Sequence, residues 1–355
     1  MKSPSPLKVE REAEKTLRNL LGEIPGVSIV RIMHEPLVED ATLDILVEAI
    51  SAAGPLRIAV EVKSSGQPRL VKDAINQLRR YIEESPRPVT PVIMAPFLSE
   101  QSRALCTQEN MGYVDFHGNA RIVTEALFID RQVPGRPDPE RRALRSLFKP
   151  KSARILRCLL SDIERSWRVT ELADAASVSV GLVSTVASAL RGRGWMEHTD
   201  DGFLLSDPSA LLDSWADEYE APKGEEMRFY SHLHGKTLID KIRALPLHPG
   251  RIVLSSFTAG EWQASYVRQS TSYFYADEEG LSKLVEGLDL ASPARGANIV
   301  VRVPDEYGVL DDAVSVADGL EATSPVQTYL DLMHAGERGQ EGAEHLRAAL
   351  LDWPN

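Results

Sequence analysis

Two short apolar runs, TLDILVEA at 42–49 and LRIAVEVK at 56–63, constrain this chain more than any other feature. Each is rich in aliphatic and β-branched residues, and together they read as a strand hairpin. Such a hairpin brings Asp44 beside Glu61. Glu61 and Lys63, two apart on one strand, share a face. Two carboxylates and a lysine so placed are what metal-assisted phosphodiester hydrolysis uses. The carboxylates, with a strand carbonyl and waters, would hold Mg²⁺, while the lysine would orient the attacking water and offset charge in the transition state. Gln77 and Tyr81, four apart on the helix that follows, would present one polar edge together. Taken alone, Glu-x-Lys on a strand is also an ordinary solvent-facing pair.

A chain of 355 residues is too long for one ordinary core, so two or three domains are expected. The content of 43% hydrophobic and 26% charged residues is that of a soluble globular protein. The opening MKSPSPLKVEREAEK lacks the apolar stretch of a secretory signal, and no apolar run is long enough for a bilayer. Cys106 and Cys158 are the only cysteines and form no Cys-x-x-Cys pair, which argues against structural zinc or a disulfide framework. The expectation is a cytoplasmic protein with no membrane partner.

The net charge of −12 speaks against sequence-independent coating of nucleic acid, which needs clustered lysine and arginine. The charge is unevenly spread, however. Arg141, Arg142, Arg145, Lys149, Lys151, Arg154 and Arg157 make a run of seven basic residues with no acid between them, whereas eleven acidic residues face two basic ones from Asp305 onward. A local basic surface is compatible with DNA binding by one module; a solvated linker is the plainer reading of the same run.

Three segments follow one another. Residues 1–130 read as helix, three strands (VSIVRIM, TLDILVEA, LRIAVEVK), the helix QPRLVKDAINQLRRYIEE, the strand TPVIMAP, the helix SEQSRALCTQENMG, and the strands YVDF and ARIVTEA. That order predicts a mixed sheet with flanking helices. The proline-rich RQVPGRPDPERR at 131–142 reads as a linker. Residues 143–207 contain the helix SARILRCLLSDIERSW, the short helix VTELADAA, the turn and helix SVSVGLVSTVASALRGRG, and the hairpin WMEHTDDGFLLSD. Three helices and a two-stranded wing give the order of a winged helix-turn-helix, whose third helix enters the major groove. That helix offers Ser179, Ser184, Thr185 and Ser188 as short polar groups and Arg191 and Arg193 at its end, with Arg154 from the basic run as a further DNA contact. The wing carries Glu197, Asp200 and Asp201, which repel DNA, and a winged helix used for protein contact is the alternative. Residues 208–355 read as a C-terminal α/β domain, with helices at 208–219 and 325–350 and strand-like runs RIVLSS, SYFYAD and ANIVVRVP between them. His117 in DFHGN, and His232 and His234 in a His-x-His, lack the further ligands a metal site requires.

The residues Asp44, Glu61-Val62-Lys63 and Gln77-Leu78-Arg79-Arg80-Tyr81 resemble the PD-(D/E)XK superfamily, the restriction-endonuclease-like fold, over roughly residues 8–125. The last group is similar to the Gln-x-x-x-Tyr element of its RecB-like branch. The resemblance implies Asp44 and Glu61 as ligands of Mg²⁺ and Lys63 as the catalytic lysine, with Glu12 or Glu14 as an accessory acid. Leu43 stands where that family's name-giving proline would be. The C-terminal part resembles AbiEi-family antitoxins of type IV toxin–antitoxin systems in RIVLSSFTAGEWQASYVR, ANIVVRVPDEYGVL and SPVQTYLDLMHAGERGQEGAEHLR, with Gln327, Tyr329, Asp331, Arg338 and Glu341 in the distinctive final stretch. This implies a transcriptional regulator that binds double-stranded DNA and neutralises a nucleotidyltransferase toxin, and a homodimer is expected from the two half-sites such regulators read. The alternative is a Mg²⁺-dependent deoxyribonuclease brought to DNA by its winged helix; a third is an interaction module with no DNA role.

Overall fold

The computed structural model describes residues 6–34, 36–38, 41–124, 127–245, 248–265, 269–291 and 296–353. The end of the expected strand ARIVTEA and the Tyr266–Arg268 part of the AbiEi-like stretch lie outside them. The chain forms two compact units, one comprising residues up to Arg142 together with Ala189–Gly194, the other Ala143–Ser188 and the chain from Trp195 onward.

The first unit opens with α1 (Pro6–Gly22), β1 (Ser28–His34) and a small hairpin of β2 (Leu37–Val38) and β3 (Ala41–Thr42). Next come β4 (Ile45–Ser51), β5 (Gly54–Val62), α2 (Pro68–Glu84), β6 (Thr90–Ala95) and α3 (Glu100–Gln108). The strands β7 (Gly112–Asp115), β8 (Ala120–Val123) and β9 (Phe128–Arg131) complete it. Seven strands form one sheet in the order β1-β4-β5-β6-β7-β8-β9, antiparallel from β4 to β5 and parallel from β5 through β7. This is the mixed sheet expected for this segment. Strand alternation divides the core in two. Ile45, Val47, Ala49, Leu56, Ile58 and Val60 pack on Ala13, Leu17 and Leu21 of α1. Leu46, Ala59, Ile93 and Ala95 face the other way, against Val71, Ile75, Leu78 and Tyr81 of α2 and Cys106 of α3.

The second unit begins within α4 (Asp138–Leu147) and continues through α5 (Pro150–Ser161), α6 (Val169–Ala175), α7 (Val180–Gly192) as far as Ser188, and the hairpin β10 (Met196–Thr199) and β11 (Gly202–Leu205). After α8 (Pro208–Asp217) come β12 (Gly224–Phe229), α9 (Gly235–Arg243), β13 (Ile252–Leu254), α10 (Ser256–Ala264), β14 (Ser272–Ala276), α11 (Glu278–Gly287) and β15 (Ile299–Pro304). The chain finishes with α12 (Gly308–Asp311), β16 (Val314–Ala317), β17 (Leu320–Ala322), α13 (Pro325–Met333) and α14 (Glu337–Leu350). A second mixed sheet has the order β12-β15-β14-β13-β17-β16. Its core joins Ile252, Phe274, Ile299, Val301 and Ala322 to Leu238 and Ile242 of α9 and Leu284 of α11. No single helix among the described residues is long and apolar enough to cross a membrane.

Four details differ from the sequence reading. The linker expected at 131–142 becomes helical at Asp138, because Pro139 falls where a first turn needs no N–H donor; Asp138 and Glu140 there, and Arg145 in the last turn, suit the helix dipole. The helix expected to reach Trp167 stops at Ser161, and Trp167 instead exchanges two 2.8 Å backbone hydrogen bonds with Phe203 as a third strand-like edge of the β10–β11 hairpin. The single helix expected at 325–350 is two, broken at Gly336 with φ +80°. Finally, α9, α10, α11 and α12 and the strands β12, β16 and β17 stand where the sequence alone suggests no element.

Candidate functional site

The register of the β4–β5 hairpin pairs Ile45 with Val60 and Leu46 with Ala59, so Asp44, one residue before β4, stands across from Glu61. Leu46 and Ala59 face α2; alternation puts Asp44, Glu61 and Lys63 on that same side. The geometry follows. Asp44 Oδ2 accepts from the Val62 amide at 2.6 Å, and Lys63 Nζ donates to Glu61 Oε1 at 2.7 Å and also to Gln77 Oε1 on α2. Lys63 is itself fixed by a 2.8 Å bond from its amide to Met94 O on β6. Only 3% of Glu61 is exposed, and burial pushes its carboxyl above the ordinary glutamate value. Asp44's charge adds to that rise, while the ammonium of Lys63 opposes it.

Four of the five residues expected at this site, Asp44, Glu61, Lys63 and Gln77, are thus brought together. Tyr81 is not among them. It is wholly buried one turn further along α2, its hydroxyl has no partner among the described residues, and burial raises its pKa. Of the two acids considered on α1, Glu14 binds His34 Nε2 at 2.9 Å and Arg18 at 2.8 Å, and Glu12 pairs with Lys15. These are held within the local surface of α1 and β1. As a donor set, Asp44 and Glu61 fit Mg²⁺, which commonly takes one or two carboxylates and completes its octahedron with water. A dication beside two carboxylates, one of them held up by burial, would offset the cost of their charge. Among the described residues no group of three or more His, Cys, Asp or Glu assembles as a metal cluster. His232 and His234 are exposed, and the His117 ring packs edge-on against Phe97.

Helix α7, expected from sequence to be the third helix of a winged helix, buries Val183, Val186, Ala187 and Leu190 and exposes Ser184, Thr185 and Ser188 on the opposite side, with Ser179 exposed just before it. Ser184 Oγ and Thr185 Oγ1 donate to the carbonyls of Val180 and Gly181, leaving their lone pairs outward as acceptors. Accepting groups suit base amino donors better than phosphates. Arg191 and Arg193 are half-buried at the end of α7, and Arg193 is ion-paired with Glu140.

The basic run requires a correction. Arg154 binds Asp311 at 2.8 Å, and Arg157, 5% exposed, pairs with Asp312. Arg145 binds Glu218 at 3.0 Å. These arginines meet acids at the C-terminal ends of α8 and α12, so much of what reads as a DNA-facing patch is charge matched inside the second unit, and Arg154 is committed there.

Asp331 and Gln327 of α13, Tyr275 of β14 and Tyr219 just after α8 form a hydrogen-bonded network of which the sequence marks only Asp331 and Gln327. Asp331 accepts from Gln327 Nε2 at 3.0 Å, from Tyr275 at 3.2 Å and from Tyr219, and Gln327 Nε2 also donates to the Tyr219 oxygen at 2.8 Å. Burial raises the Asp331 carboxyl to about 6, the three hydrogen bonds opposing the rise. Tyr329 is buried and takes a bond from Arg347 at 3.4 Å, whereas Arg338 and Glu341 are exposed. Tyr219 and Tyr275 carry no sequence signal that links them to Asp331.

Residues 204–352 match the family model of the AbiEi antitoxin, a transcriptional regulator of type IV toxin–antitoxin systems. The AbiEi-like region thus begins at strand β11 and takes in the whole second sheet. No curated protein matches the chain. Two solved structures are similar over part of it. One is a repair endonuclease from Pyrococcus abyssi, 19% identical over 29% of this chain and 46% of that one, with a TM-score of 0.22. The other is EndoMS in apo form, 16% identical over 33% of this chain and 48% of that one, with a TM-score of 0.24. The chain spans slightly less than half the length of each.

Proposed function

We propose that the protein is a DNA-binding transcriptional regulator of the AbiEi antitoxin type. The observation that carries this reading is the AbiEi match over 204–352, adjoining a three-helix and wing module whose α7 exposes Ser184, Thr185 and Ser188 on one face. In this reading α7 enters the major groove of double-stranded DNA as one half of a homodimer, with Arg191 at the groove edge. The hydroxyl lone pairs accept from base amino groups, while the acidic wing limits binding to sites that fit closely. The C-terminal region holds a nucleotidyltransferase toxin. A nuclease-protection footprint on the DNA upstream of the protein's own gene tests the assignment. A protected stretch that disappears in the Ser184→Ala, Thr185→Ala double variant is expected; protection unchanged in that variant would remove α7 as the reading helix.

A second reading has its own observation, the contact of Lys63 with both Glu61 and Gln77 beside Asp44. Here the protein is a Mg²⁺-dependent endodeoxyribonuclease. Asp44 and Glu61 would hold the ion, which when bound supplies Lewis-acid stabilisation of the phosphodiester. Gln77 keeps the Lys63 ammonium turned toward the carboxylates, where it can orient a water and offset phosphate charge. Incubation with supercoiled DNA and Mg²⁺ decides it: nicking that is absent in Lys63→Ala supports the enzyme, and intact plasmid leaves the regulator.

A further inference from the structure

The second unit contains a cavity of about 630 Å³ between the end of α4, the start of α5, the segment from α8 to β12, and the turn from β15 into α12. Its walls belong to neither the Asp44–Lys63 cluster nor the exposed face of α7. Arg157 and Gln327, 5% and 2% exposed, line it, as does Trp215 at 2%. The Arg157 guanidinium is oriented by its Nε bond to Asp312, and Nη1 reaches Gln327 Oε1 only at 3.4 Å. The third guanidinium nitrogen, Nη2, lies beside Gly308. Gly308 keeps the space beside it clear. A Cβ there would lie 3.2 Å from Arg157 Nη2 and 3.0 Å from Arg154 Cγ, so even a methyl group would press on both arginines. On another wall Phe148 stacks on Trp215 with centroids 5.6 Å apart and planes 9° apart, and the half-buried Phe148 presents a flat apolar surface. Lys149, Lys223, Glu220, Asp305 and Glu306 line it at exposed positions, and Glu218, ion-paired with Arg145, is buried in its wall.

We infer that this cavity is a binding site for a small anion built on a flat ring, its phosphate or carboxylate head on Arg157 and its ring against Phe148. Guanidinium groups recognise both heads through paired N–H donors, and an aromatic face selects planar bodies. The exposed acids suit ring amino groups, which donate. The volume is that of an ordinary small-molecule pocket. The inference does not rest on DNA binding, and its failure would leave the regulator reading where it stands.

Trp215 in the wall supplies the assay. The full chain is titrated with adenosine monophosphate, 2-aminobenzoate, adenosine and inorganic phosphate, followed by calorimetry and by the thermal midpoint of the tryptophan signal. At least one of the two ring-bearing anions should bind saturably below about 1 mM, with adenosine and phosphate alone about tenfold weaker or worse. Which of the two binds identifies the head as phosphate or carboxylate. Gly308→Val should abolish binding by filling the space beside Arg157. Lys149→Ala, at an exposed position that leaves the fold intact, should weaken it severalfold. Absence of saturable binding by both anions would overturn the inference. So would binding that is unchanged in Lys149→Ala and in a Gly308→Val variant with wild-type circular dichroism.

Discussion

Replacing Lys63 by methionine keeps the length of the side chain and removes the charge that Glu61 faces at 2.7 Å. The two side chains are 17% and 4% exposed, so the variant leaves a nearly buried carboxylate without its ammonium. Breaking a buried pair from one side costs about 3–5 kcal/mol when the stranded group must stay charged. Glu61 has an escape, since burial already holds its pKa above the ordinary value and loss of Lys63 raises it further. The folded variant then binds a proton more tightly than the unfolded chain, and by linkage its stability falls as pH rises through the raised value. The deficit relative to wild type should be about 2–3 kcal/mol at pH 8 and below about 1 kcal/mol at pH 5. Glu61→Gln should erase most of it, giving a coupling of about 1–3 kcal/mol in the double-mutant cycle. All five tryptophans lie in the second unit, so fluorescence does not report this loss. Amide hydrogen exchange of β4 and β5 peptides does. A deficit equal at both pH values, or an additive cycle, would refute the claim that Lys63 holds the charge of Glu61.

Two further outcomes follow from the second unit. Asp331, raised to about 6 from 3.8, is bound more tightly to its proton in the folded state, so it favours folding below about pH 4 and that contribution is lost as pH rises through about 6. Relative to wild type, Asp331→Asn should therefore gain up to about 3 kcal/mol between pH 4 and 7 in urea titrations read by tryptophan fluorescence, and parallel profiles would count against it. Gly202 sits at φ +148°, and a Cβ there would meet Trp167 O at 2.3 Å. Gly202→Ala should cost about 2–4 kcal/mol and loosen the Trp167–Phe203 bridge, seen as lost amide protection at both residues; retained protection would contradict it.

What could be read from the sequence follows from how local each signal is. The β4–β5 hairpin is set by two short apolar runs, and strand alternation alone places Glu61 and Lys63 on one face. Asp44 needed only the register of that hairpin to stand opposite Glu61. Gln77 needed the helix that covers the same face. Tyr81 shares the polar spacing with Gln77, but the helix turns it into the core, where Leu78 and Ile75 also lie. The basic run at 141–157 misled because a charge reads the same whether it meets water or an acid. Asp311 and Asp312 are more than 150 residues from Arg154 and Arg157, and only folding shows the match. The same holds for Tyr219 and Tyr275, which reach Asp331 from separate elements. Helices α9 to α11 are short and set between strands, and α10 has almost no amphipathic period to betray it.

A transcriptional regulator of this type must bind DNA as the full chain. The direct measurement is fluorescence anisotropy of a labelled duplex from the region upstream of its own gene, against a shuffled duplex of equal length, at several salt concentrations. Tighter binding to the upstream duplex by about a hundredfold or more is expected, with a shallow salt slope, because α7 offers hydroxyls while Arg154, Arg157 and Arg193 are ion-paired within the protein. Equal affinity for both duplexes, or no binding at micromolar protein in low salt, would contradict it.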